Sequence, residues 1–127
     1  MNAVTIDKIK SFKKSKKSFT AITAYDYTSA KIIDSVNIPL ILVGDSASMV
    51  SYGYTTTLPI SMDEILLVSK AVSRGAKKAL VVGDMPFLSY QSSVSTAIKN
   101  AGLFLKNGGV GAVKLEGGLE ITSQIKK

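Results

Sequence analysis

The chain has 127 residues, 46% of them hydrophobic and 20% charged. That balance fits one folded domain with a real core and excludes a disordered polymer. Cysteine and histidine are both absent, which removes disulfides, thiolate metal sites and every nucleophile that depends on a histidine base. Any catalysis must run on carboxylates, lysine, tyrosine, hydroxyls or a hard metal ion. No apolar run approaches the roughly 20 residues of a membrane helix, and the N-terminus lacks a secretory apolar region, so the expected location is the cytoplasm. The net charge of +7 is concentrated: Lys8, Lys10, Lys13, Lys14, Lys16 and Lys17 stand close together, without the arginines and interleaved aromatics of a nucleic-acid surface.

In chain order, Thr5 is placed to cap a helix running to about residue 17, with Ile6, Ile9 and Phe12 near one face and lysines at its C-terminal end. Phe19-Thr20-Ala21-Ile22-Thr23-Ala24 reads as a strand, and residues 27–36 as a helix. Ile38-Pro39-Leu40-Ile41-Leu42-Val43 is apolar without alternation, as in a parallel strand buried on both faces. Residues 47–59 read as a long loop with one helical turn, long enough to suggest function. Ser61-Met62-Asp63-Glu64 is a capping box opening a helix whose inward residues are Ile65, Leu66, Val68, Ala71 and Val72. A third strand, Ala79-Leu80-Val81-Val82, follows. Ser92 or Ser93 then caps a helix carrying Ala97, Ala101, Phe104 and Leu105 inward, stopped at Asn107-Gly108-Gly109. Gly111-Ala112-Val113-Lys114-Leu115 is the fourth strand, and a last helix begins near Leu119.

Alternating strands and helices at this spacing predict right-handed βαβ units and a parallel sheet. Four units make either an open doubly wound sheet or half of an eight-stranded barrel. A whole barrel needs about 250 residues, so the expectation is an α/β fold of the (β/α)8 TIM-barrel type, with this chain supplying about the first four units. One domain over residues 1–127 is expected, with an N-terminal helix in 1–17 and βα units in 18–127.

Three strands end alike, in Val43-Gly44-Asp45, Val82-Gly83-Asp84 and Lys114-Leu115-Glu116. Acidic side chains at C-terminal strand ends of a parallel sheet gather on the catalytic face of a barrel. Gathered there, they call for a hard divalent cation such as Mg²⁺. The competing reading makes each aspartate a turn or cap residue; the repetition favours the metal. The glycine before each aspartate reads as room for close approach of a ligand. Lys114 lies two residues before Glu116 and shares its face. Its ammonium serves either a substrate carboxylate or enolate oxygen, or a purely structural pairing with Asp84 or Glu116. Ser46 reads as a helix cap or a substrate contact, Tyr25 as pocket lining or packing, and Tyr90 as packing.

Taken together, Ile22-Thr23-Ala24-Tyr25-Asp26-Tyr27, Val43-Gly44-Asp45-Ser46, Thr57-Leu58-Pro59, Gly83-Asp84-Met85-Pro86-Phe87 and Val113-Lys114-Leu115-Glu116-Gly117-Gly118 resemble, in order and spacing, the ketopantoate hydroxymethyltransferase family. The resemblance covers the chain from about Thr5 onward. It implies transfer of a one-carbon unit from 5,10-methylenetetrahydrofolate to 3-methyl-2-oxobutanoate through a Mg²⁺-bound enolate, giving 2-dehydropantoate on the route to pantothenate and coenzyme A. By similarity Asp45, Asp84 and Glu116 belong to the Mg²⁺ site, and Asp45, Ser46, Asp84 and Lys114 bind the keto acid. A homo-oligomer is implied, with no nucleic-acid or membrane partner. The family's general-base glutamate and its histidine-bearing Gly-His motif match no position here. The expectation is therefore an N-terminal half that does not turn over alone. Two alternatives stand beside it: another Mg²⁺-dependent, enolate-forming lyase or mutase of the phosphoenolpyruvate mutase and isocitrate lyase type, and a non-catalytic α/β module binding nucleic acid through its lysine-rich helix.

Overall fold

The computed structural model describes residues 3–127; of the segment read as the N-terminal helix, Met1 and Asn2 lie outside the described residues. Helix α1 (Ile6–Lys14) is capped by Thr5, whose hydroxyl accepts the Lys8 N–H. It ends three residues before the expected stop, and Lys16 takes a left-handed φ of 54° beyond it. None of its residues is buried. Its aromatic contact is local: Phe12 stacks on Phe19 at 5.3 Å, with the Lys8 ammonium over the Phe12 ring.

Four strands follow, β1 (Ala21–Thr23), β2 (Leu40–Val43), β3 (Leu80–Asp84) and β4 (Ala112–Lys114). They form one parallel sheet in the order β1-β2-β3-β4. An open doubly wound sheet would reverse its strand order at a switch point. This one does not, so each crossover advances in the same sense, as in half of a (β/α)8 barrel. Strands β1, β2 and β4 are shorter than the sequence suggested, whereas β3 runs on through Gly83 to Asp84, where it pairs with β4.

The crossovers are α2 (Tyr27–Ser35), then α3 (Ala47–Val50) with α4 (Met62–Gly75), then α5 (Val94–Leu103) continued by a π turn at Phe104–Gly108. After β4 come a 3₁₀ turn, Leu119–Ile121, and α6 (Thr122–Lys126). Each main crossover helix starts on a side-chain cap: Asp26 on the Ser29 N–H, Ser61 in a complete capping box with Glu64, and Ser93 on the Thr96 N–H. Each such cap satisfies N–H groups the helix leaves unpaired, worth about 1 kcal/mol.

The two faces of the sheet differ. Ile41, Val43 and Val81 are buried against the helices in one core with Ala30, Ile65, Leu66, Val72 and Phe104. Leu42, Val82 and Ala112, paired in one row on the opposite face, are only half-buried. The unbroken apolar pattern of β2 thus reflects one covered face and one inner, barrel-lining face. Within the helix layer, the expected inward position of Leu105 is a miss. The π turn adds a residue to the coil, so Phe104 points inward, fully buried, while Leu105 is half-exposed.

Candidate active site at the C-terminal rim

Alternation along β3 places Asp84 on the inner face, since the preceding Gly83 sits on the helix side against the Phe104 ring. A Cβ at Gly83 would lie 2.3 Å from that ring. Its glycine is required by core packing rather than by a ligand, a correction to the sequence reading. Gly44 also has a local reason, because a Cβ there would meet the Ser46 hydroxyl at 2.7 Å.

Lys114 pairs directly with Asp84 in the β3–β4 register. Its ammonium donates to Asp84 Oδ1 at 2.8 Å and to Glu116 Oε1, bridging the two carboxylates. The other Asp84 oxygen accepts the Asp45 N–H at 3.3 Å. Continuing the β2–β3 register past Val43 and Gly83 sets Gly44 level with Asp84, and Asp45 one residue higher. Glu116 stands two residues above Lys114. The acids are therefore staggered around the rim rather than level, and among the described residues no three of them converge into a metal-holding group. The cation between Asp84 and Glu116 is Lys114 itself.

Burial pushes the Asp84 carboxyl above the usual carboxylate range. The Lys114 ammonium and the Asp45 N–H oppose that displacement, and the Asp45 charge adds to it. Burial works against the charge on Lys114 as well, but the hydrogen bonds and charges of Asp84 and Glu116 outweigh it and hold its pKa above the ordinary value. Asp84 is 4% exposed. A buried carboxylate with one strong and one long partner still has lone pairs to offer. This hard-oxygen set suits Mg²⁺, which commonly takes one or two protein carboxylates and completes its shell with water and substrate. Asp84 and Asp45 fit that pattern, and Glu116, with only Oε1 on Lys114, has its second oxygen to offer.

The remaining rim residues come from the other loops. Ser46 opens α3 but makes no capping bond; its hydroxyl is hydrogen-bonded to the Tyr25 hydroxyl at 2.8 Å, bringing both side chains to the rim. Asp26, beside Tyr25, turns away to cap α2. Tyr90 was missed. Buried at 3% exposure, it donates to the Glu116 carbonyl at 2.8 Å and accepts the Glu116 N–H at 3.0 Å, fixing that backbone just past the end of β4. No spacing in the sequence signals a contact made 26 residues away.

Two cavities flank β4. The larger, about 450 Å³, is apolar, lies among α5, β4 and α6, and contains no acid. The smaller, about 350 Å³, opens on the rim between Asp45 and Glu116, with Thr57, Leu58, Phe87, Tyr90 and Gln91 around it. Of these two, the chemistry favours the smaller, because there acidic and hydrogen-bonding groups converge beside the strand ends. Among the described residues, no helix is long and apolar enough to cross a membrane.

Comparison with known proteins agrees with this architecture. 2,3-Dimethylmalate lyase, described as a PEP mutase/isocitrate lyase superfamily member, superposes with a TM-score of 0.69 at 13% identity, covering 95% of this chain and 40% of that one. Phosphonopyruvate hydrolase in complex with oxalate and Mg²⁺ gives 0.65 at 17% identity, covering 79% and 34%. At such identities the likeness is one of fold. Sequence goes further. The 3-methyl-2-oxobutanoate hydroxymethyltransferase of Syntrophus aciditrophicus is 49% identical over 124 residues, covering 98% of this chain and 46% of its own length. That of Clostridium kluyveri is 54% identical over 116 residues, covering 91% and 41%. The chain thus spans under half the length of these relatives. A family model described as ketopantoate hydroxymethyltransferase matches residues 3–127. The chain belongs to the ketopantoate hydroxymethyltransferase family.

Proposed function

We propose that this chain supplies the keto-acid and metal-binding rim for hydroxymethyl transfer from 5,10-methylenetetrahydrofolate to 3-methyl-2-oxobutanoate, giving 2-dehydropantoate in a cytoplasmic, homo-oligomeric enzyme. The single observation that carries the reading is the Asp84–Lys114–Glu116 bridge on the inner face of the sheet, with Asp45 and Ser46 at the next strand end.

Asp45 and Asp84 would hold Mg²⁺, with Glu116 as the third candidate ligand. When bound, the ion draws electron density from the keto acid and so acidifies its C3 hydrogen. The protein groups do the rest. Lys114 has three N–H donors and two are engaged, leaving one for a substrate oxygen where negative charge develops. In the arrangement where Tyr25 is the donor to Ser46, the Ser46 hydroxyl keeps its own proton for the substrate carboxylate. Pairing holds Lys114 protonated through the neutral range, so its charge is present when the substrate arrives. Each of these groups is fixed before binding, which limits reorganisation during the reaction.

The test is calorimetric titration of the chain with 3-methyl-2-oxobutanoate, with and without Mg²⁺, together with deuterium exchange at C3 of the keto acid. Mg²⁺-dependent binding that disappears in Asp84→Ala supports the assignment. Binding that needs neither the ion nor Asp84 defeats it, whatever the exchange rate.

A further inference from the structure

The last turns of α4 and the π turn after α5 meet at the end of the sheet opposite the rim, because α4 stops at Gly75, just before β3 begins at Leu80. Two glycines let them approach closely. A Cβ at Gly108 would stand 3.3 Å from the Ser69 Cβ. One at Gly109, which holds a left-handed φ of 70°, would stand 3.3 Å from the Ser73 Cβ. Between helix and turn lies an open cleft of about 290 Å³. Lys70 and Arg74 line it from α4, one helical turn apart, and Lys77 joins them from just past the helix end. Asn107 faces them from the π turn. Among the described residues, no acidic side chain lines this cleft.

Three cations in one cleft repel one another, and Lys70 with Arg74 at i, i+4 is an unfavourable pair for the helix itself. The negative end of the α4 dipole accounts for Arg74 in the last turn, but its pull fades within that turn and does not reach Lys70. Neutralisation from within is missing too. Among the described residues the only ion pairs are those of Lys114. Asp34, which touches this segment, spends its oxygens on the N–H groups of Lys77, Lys78 and Ala79. The Ser73 hydroxyl, on the cleft wall, is closed from water and has no hydrogen-bond partner among the described residues, so its proton is still to be donated. Cationic and neutral donors gathered without an acidic partner suit an anion. We propose that this cleft binds the phosphate or diphosphate group of a small phosphorylated molecule. The Arg74 fork takes two of its oxygens, and Lys70 and Lys77 supply point charge. Three positive charges exceed the roughly −2 of a single phosphate, which favours the diphosphate. A cleft of this size holds the anionic head and leaves the rest of the ligand in solvent. The site is separate from the keto-acid rim and stands whether or not that reading holds.

The experiment is calorimetric titration of the whole chain with inorganic pyrophosphate, and separately with inorganic phosphate, without Mg²⁺ and with ionic strength held constant by KCl. Saturable binding at one site is expected, tighter for pyrophosphate. Amide NMR shifts should follow the titration at Ser73, Asn107, Gly108 and Gly109 rather than at Asp84 and Lys114. Lys70→Gln and Arg74→Gln replace exposed side chains, and thermal melting checks that both variants fold. Each is expected to weaken pyrophosphate about tenfold, the loss of one charge-assisted hydrogen bond. Lys14→Gln in α1 removes the same charge elsewhere and should leave the affinity within about twofold. Absence of saturable binding, equal weakening by Lys14→Gln, or shifts centred on the rim overturns the site.

Discussion

Asp34 and Asp84 are both nearly closed to solvent, at 6% and 4% exposure, but Asp84 has much more protein packed around it, and their carboxyl groups are displaced in opposite directions. Asp34, in the last turn of α2 at the N-terminal side of the sheet, accepts three backbone N–H groups, from Lys77, Lys78 and Ala79, at 3.0, 2.9 and 2.8 Å. Burial alone would raise its pKa, but those three bonds, helped by the Lys78 charge, outweigh it and hold the carboxyl below the ordinary range. Asp84, at the C-terminal rim, has Lys114 and one long backbone contact, and there burial wins. The lesson lies in saturation. A carboxylate whose lone pairs are filled by the backbone is a fastener. One left short of partners, and more deeply surrounded by protein, keeps capacity for an ion or substrate, and the fold bears the expense.

The largest effect should come from the fastener. Asp34→Ala leaves three buried donors unpaired and is expected to lower stability by about 3 kcal/mol in urea unfolding. A loss under about 1 kcal/mol would show that the two carboxylates do not differ as described. Next, Asp84→Asn removes a poorly compensated charge. Its stability should change by less than about 1 kcal/mol, while Mg²⁺ affinity falls at least tenfold, about 1.4 kcal/mol, in calorimetry. An Asn that keeps Mg²⁺ affinity would place the ion elsewhere.

These two residues also mark how far the sequence could be read. The cap residues were legible because their partners lie within three positions: Ser61 with Glu64, Ser93 with Thr96, Thr5 with Lys8. The parallel order was legible because strand and helix lengths are local properties. Asp34 was not, since its three donors come from 43 to 45 residues later. Nor was the stagger of Asp45, Asp84 and Glu116, because repeated Val-Gly-Asp endings show which strands carry acids but not the register that pairs them. The Lys114 bridge was half-legible: period-two alternation put Lys114 and Glu116 on one face, and only the pairing of β4 with β3 added Asp84.

A smaller test isolates a purely local device. Ser61→Ala dissolves the capping box of α4, whose bonds run only between Ser61 and Glu64, and should lower the melting midpoint by an amount equivalent to about 1 kcal/mol without altering Mg²⁺ affinity. Any effect on ion binding would couple α4 to the rim.

The smallest effects belong to pH, and they separate the two aspartates by direction. The Asp34 pKa is depressed on folding, so its stabilisation is present above the ordinary value of 3.8 and is lost as pH falls through the lower folded value. The Asp84 pKa is raised, so its protonated form favours the folded state. Its contribution is present below 3.8 and declines as pH rises toward the higher folded value. Asp34→Asn should therefore flatten the acid limb of a stability–pH profile below 3.8, and Asp84→Asn the limb just above it. Identical profiles for the two variants would dissolve the contrast between them.

The contact between Gly83 and Phe104 carries a consequence for variation across the whole rim. Even a methyl group at position 83 would act as a wedge, driving the Phe104 ring and the π turn outward. The next peptide unit carries Asp84, so that displacement would tilt the very carboxylate that faces Lys114. A substitution on the dry side of β3 is thereby felt on its wet side. Random mutagenesis scored only by ligand affinity should flag position 83 as readily as position 84, although nothing bound at the rim could touch it.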